Sequence, residues 1–181
     1  ALDSSVQSFT VTAGQNTALS VSDTPTNDPV RISINKVDSE TGDKVQGGAS
    51  FENAEFTVKY YAGYYNAGNL PANATRTWVI KTLKTAGGNY MAALNNTCKV
   101  SGDDFYKVSN GTVVLPLGTI SIEETKAPEG YNLDGAYLQV GGVGEKITGK
   151  YVAQITQNGN LAQLKGGNTF KVSDKIKRGD F

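Results

Sequence analysis

Histidine is absent from the 181-residue chain. That removes the usual general base and the commonest metal ligand, and with them most hydrolase chemistry. The single cysteine, Cys98, excludes an internal disulfide framework. A secreted domain of this size without disulfides needs another source of rigidity. Charge of one sign is lacking too: 17 Lys and Arg balance 17 Asp and Glu, so no basic field attracts nucleic acid. No apolar run approaches membrane-spanning length. Neither a signal peptide nor a sorting tail is read, so a secreted parent implies an internal piece. What the chain does have is 21 glycines and 9 tyrosines among many Thr and Val residues, a composition of short strands and frequent turns. Its length suits one β-domain with a sizeable core, or one domain and part of another.

The most informative stretch is 117–131, LGTISIEETKAPEGY. At period two, Ile120, Ile122 and Glu124 share one face, and Ser121 and Glu123 the other. A carboxylate therefore stands where a third core isoleucine is expected. Buried alone, it costs several kcal/mol unless paired or neutralised. Pro128 and Gly130 then end the strand in a turn.

Two other strands carry the same anomaly. In VRISINKVD, Val30, Ile32, Ile34 and Lys36 share a face. In TFKVSD, Phe170, Val172 and Asp174 do. A Lys, a Glu and an Asp, each in phase with inward apolar residues, are explained together by mutual pairing.

The segments INKVDSETGD and EETKAPEGY resemble the first strand and the Glu-box of Cna B-type domains. These are the prealbumin-like, SpaA-type repeats of Gram-positive surface proteins and pilins. The resemblance covers residues 29 to the C-terminus. It implies an all-β, antiparallel, Ig-like sandwich, with 62–110 as a long insertion. It also implies a self-made intramolecular isopeptide bond, with Lys36 as nucleophile and Glu124 as the proton-handling carboxyl. Those residue types suit the chemistry. Burial lowers a lysine pKa and frees the amine, while a buried, protonated Glu can polarise a carbonyl and shuttle protons. The bland alternative is an ion pair that never reacts. For the bond partner, Asp174 is the first choice, because Phe170, Val172 and Asp174 alternate as a closing strand should. Asn168 is second: related modules often use Asn, but here it follows two glycines, a context that suits a turn.

Along the chain, residues 1–28 read as a closing hairpin of a preceding repeat plus a linker, 29–177 as the full domain and 178–181 as the start of a following repeat. The basis is a half-repeat: LDSSVQSFTVTAG echoes YNLDGAYLQVGG, and SVSDTPTNDPV echoes KVSDKIKRGDF. EFTVKYY should place Phe56, Val58 and Tyr60 on one face. Residues 62–75 read as a long loop, RTWVIKTL as a strand, and MAALNN as a short helical turn. AYLQV, YVAQITQ and TFKVSD close the sheet.

Other candidates carry less. Tyr60, Tyr61, Tyr64 and Tyr65 are either a contact patch for sugar or protein or, more ordinarily, divided between core and surface. Cys98 lacks the context of a thioester and reads as a free thiol. Asn73, Asn95 and Asn110 begin glycosylation triplets of a kind common by chance. Asp38, Glu40 and Asp43 lack the full calcium-loop pattern and read as a solvated turn.

The expectation is a stalk or pilin-like module, extracellular and cell-wall-anchored on a Gram-positive bacterium, with no substrate turnover, no cofactor and no metal. Its partners would be neighbouring repeats, with neither nucleic acid nor membrane insertion. An adhesin domain contacting host matrix protein or glycan through residues 62–75 is the alternative. A two-carboxylate glycosidase needs an open cleft, whereas Glu124 is expected to face a core.

Overall fold

The computed structural model describes residues 13–14, 27–29, 32–156 and 163–171. The described residues hold thirteen strands and one 3₁₀ turn. In chain order the strands are β1 (Asn27–Pro29), β2 (Ser33–Asp38), β3 (Glu55–Tyr61), β4 (Arg76–Lys81), β5 (Leu83–Lys84), β6 (Tyr90–Ala93) and β7 (Lys99–Gly102). There follow β8 (Val114–Pro116), β9 (Gly118–Lys126), β10 (Tyr131–Val140), β11 (Lys146–Thr148), β12 (Lys150–Ile155) and β13 (Gln163–Phe170).

Two sheets face each other. One runs β11-β10-β13-β2-β6-β5 and the other β12-β9-β3-β4-β7. The inward faces follow the period-two pattern. Phe56, Val58 and Tyr60 of β3 are buried, as are Trp78 and Ile80 of β4 and Ile120 and Ile122 of β9. They meet Ile34, Ala92, Leu138 and Leu164 from the opposite sheet in one core. Burying each large apolar side chain contributes roughly 1.5–3 kcal/mol. A smaller cluster of Phe51, Tyr131 and Phe170 lies apart from it.

The sandwich is antiparallel except at one junction: β2 and β13 pair in parallel, with Gly166 opposite Lys36 and Asn168 opposite Asp38. Parallel neighbours need a long crossover, and here nearly the whole domain supplies it. The first and last described strands of that sheet therefore lie side by side.

Two local expectations change, and two segments gain strands. MAALNN forms no helical turn. Residues 90–93 are strand β6, where Ala92 pairs with Ile34 of β2 and is fully buried, so packing overrides alanine's helical preference. Asn168 sits in no turn either. Gly166, Gly167 and Asn168 all lie within β13, because the glycines allow close approach of core side chains. The 62–110 segment, expected as an insertion, supplies β4 to β7 and so contributes strands to both sheets. The stretch expected as a linker ends in β1, which pairs with β8.

Candidate functional site

β2 brings Lys36, and β9 brings Glu124, into the interior. Lys36 and Ile34 lie two residues apart on the same face of β2, and Glu124 and Ile122 do so on β9. Lys36 Nζ donates to Glu124 Oε2 at 2.7 Å. The two side chains are 0% and 3% exposed. The ammonium also lies 5.7 Å from the centroid of the Phe56 ring, within cation–π range.

Burial drives the Lys36 pKa below the ordinary ammonium range, against the opposing pull of Glu124. Burial likewise raises the Glu124 carboxyl above its usual range, against Lys36 and a side-chain interaction with Asn168. Both shifts favour the same state, a neutral amine beside a neutral acid. A coupled pair of this kind exchanges its proton internally.

Asn168 completes the cluster. It is fully buried, and its Nδ2 donates to the Asn132 carbonyl at 2.8 Å. That bond fixes which way the amide points. Asn168 Oδ1 and Glu124 Oε1 are then left without a hydrogen-bond partner, both buried. The interaction of Asn168 with the Glu124 carboxyl falls short of an ordinary hydrogen bond. Two orphaned acceptors on neighbouring side chains are costly, and a proton on Glu124 offers a donor to relieve them.

The Glu-box turn has its own logic. Gly130 has φ +82°, and a side chain there would place Cβ 2.6 Å from Ala49 Cβ, so glycine is required twice over. The turn closes by Tyr131 N–H to Pro128 O. It sends Tyr131 into the small aromatic cluster, where the hydroxyl donates to Asp38 Oδ2 at 3.0 Å. Asp38 also accepts from the Glu40 and Thr41 N–H groups and from Gln46 Nε2. Burial alone would raise its pKa; these four donors outweigh that and hold it below the usual range. Asp38 is 1% exposed, so the solvated-turn expectation fails for it. Its role was missed because nothing in the sequence announces four converging donors. No group of three or more metal-ligating residues is present among the described residues.

Two glycines shape the cluster's wall. A Cβ on Gly167 would fall 2.2 Å from Tyr137 Cζ, so the tyrosine ring lies flat where a side chain would stand. A Cβ on Gly166 would touch Ile34, Phe56 and Leu138. By local sequence the Gly-Gly pair suits a turn; the approach of Tyr137, distant in sequence, is what requires glycine here.

Of the remaining candidates, Asp174 and Val172 lie outside the described residues, as does Val30. The tyrosine group divides. Tyr60 and Tyr61 are buried, and Tyr64 is 54% exposed. Tyr60 OH donates to Leu117 O, and Tyr65 N–H to Thr119 Oγ1, which ties the 62–75 loop to β9. Cys98 is a buried free thiol.

No curated protein matches the chain. A family model, SpaA, described as a prealbumin-like fold domain, matches residues 30–168. That span begins just before β2, ends on Asn168 and takes in most of the chain. With its two facing sheets and with β2 and β13 adjacent, the chain belongs to the SpaA family of prealbumin-like fold domains.

Proposed function

We propose that Lys36 and Asn168 become joined by an amide bond, with Glu124 carrying the proton, in a load-bearing module of a Gram-positive surface protein. The observation that carries this reading is the buried Lys36–Glu124 pair with Asn168 beside it. Membership of the SpaA family supports the setting, since such domains are typical of surface pilins.

The buried pair supports the following chemistry. Proton transfer within the pair leaves a neutral Lys36 amine and a neutral Glu124 acid. The acid lends its proton toward Asn168 Oδ1 and polarises the carbonyl. Nζ adds to Cγ, and the Cγ–Nδ2 bond breaks. Glu124 moves one proton from Nζ to Nδ2, which departs as ammonia. The product is a neutral amide, and it removes two buried charges. No substrate is turned over.

Asn168 replaces Asp174 as the preferred partner for a positional reason. Asn168 lies two residues along β13 from the position paired with Lys36, on the same face as Gly166. The test is accurate intact mass of the purified chain, followed by tryptic mapping. A deficit of one ammonia and a peptide pair linked through Lys36 and Asn168 are expected. A deficit of one water would move the bond to an aspartate; full mass would refute it.

A further inference from the structure

β10 breaks its pairing with β13 directly opposite Asn168. Asn132 pairs with Thr169 and Tyr137 with Gly167. One residue of β13 thus faces four of β10, residues 133–136. Gly135 takes φ +76° at the tip, and Leu133 is 42% exposed. This is no random flaw, because bulges of this kind re-aim groups beside functional sites.

Two consequences follow at Asn168. The carbonyl of Asn132, where the bulge begins, receives the Asn168 amide N–H. The looped-out residues also leave room behind them. A partly open cavity of about 160 Å³ is lined by Glu124 of β9 and by Leu133, Ala136 and Tyr137 of β10, among others. That is several times the space a water-sized molecule needs. Glu124, whose buried Oε1 has no hydrogen-bond partner, is among the residues that line it.

We propose that the β10 bulge is the positioning and venting device of the cross-linking reaction. This rests on the Lys36–Asn168 reading above. The Asn132 carbonyl holds Nδ2 as the leaving group, and the cavity takes the ammonia that Nδ2 becomes. A regular β10–β13 ladder would bring Leu133 opposite Asn168 and remove the space. Ammonia formed in a dry, closed core would stay beside the new amide and favour return.

The test is the rate of ammonia loss, followed by intact mass after a short pulse of cell-free synthesis of the full chain. One variant deletes residues 134–136, which restores one-to-one pairing while keeping Asn132 and Tyr137 in register. A second, Ala136→Phe, fills the cavity without touching the backbone path. Each is also made in the Lys36→Ala background, where melting temperature reports fold without the bond. The expected result is melting unchanged in that background, with cross-linking slowed about ten-fold or more. If the wild type loses ammonia and a folded Ala136→Phe chain keeps pace with it, the bulge proposal is wrong and the bond stands. If the wild type loses none, the bond itself is wrong, and the bulge proposal falls with it.

Discussion

Replacing Asn168 by alanine separates a covalent bond from an ordinary buried ion pair. The substitution leaves the Lys36–Glu124 contact at 2.7 Å untouched. Without a cross-link, its cost is the single hydrogen bond to Asn132 and some packing, about 1–3 kcal/mol. With a cross-link, the variant also loses closure of a loop from residue 36 to residue 168. The chain-entropy treatment of disulfides puts that near 5 kcal/mol, for a total of about 6–8 kcal/mol. At about 2–4 °C per kcal/mol for a domain of this size, the melting temperature should fall by about 12–32 °C. Calorimetry on wild type and variant reads the difference. Combining Asn168→Ala with Lys36→Ala should add little beyond the larger single effect, since both remove one bond. A fall of less than about 6 °C, or fully additive single effects, would refute the cross-link.

Glu124→Gln keeps the shape of the site but cannot take a proton, so the chain should retain its full mass and lose resistance to trypsin. Gly167→Ala drives a methyl into the Tyr137 ring and should destabilise by about 1–3 kcal/mol, read by urea titration. Asp38→Asn should cost about 1–3 kcal/mol at neutral pH. Because the folded Asp38 pKa is depressed, its contribution is complete above the unfolded value of 3.8. The wild-type advantage should therefore shrink as pH falls through the lower, folded value. Pulled from its ends, the wild-type module should release no length between residues 36 and 168. The Asn168→Ala chain should release roughly 450 Å there, measured by single-molecule extension.

The sandwich and its charged interior pair were legible because both depend on period two. Ile34 and Lys36, and Ile122 and Glu124, announce their faces by spacing alone. MAALNN misled because alanine's local preference gives no sign of Ile34 waiting across the ladder. The Gly166-Gly167 pair misled for a related reason. Glycine marks a turn when the backbone bends, and close approach when a ring lies over it; only the position of Tyr137, distant in sequence, tells the two apart. Asp38 was readable as a turn carboxylate, but its donors come from residues as distant as Tyr131. Local pattern reports which way a side chain points, not what comes to meet it.

The parallel pairing of β2 and β13 connects the chemistry to load. Pulled at the start of β2 and the end of β13, two parallel neighbours slide lengthwise, so their six paired positions share the force as shear. Such pairing resists better than unzipping, yet hydrogen bonds worth about 1 kcal/mol each net still yield in sequence. A bond from Lys36 to Asn168 changes the path. Tension entering along β2 passes at residue 36 into residue 168 and leaves along β13. The intervening chain, which holds most of both hydrophobic clusters, then carries none of it. Such a cross-link would work in this position because the strands that would receive the load are already neighbours. Placed between β10 and β11, which pair across the short loop 141–145, the same bond would close little chain and shield almost nothing.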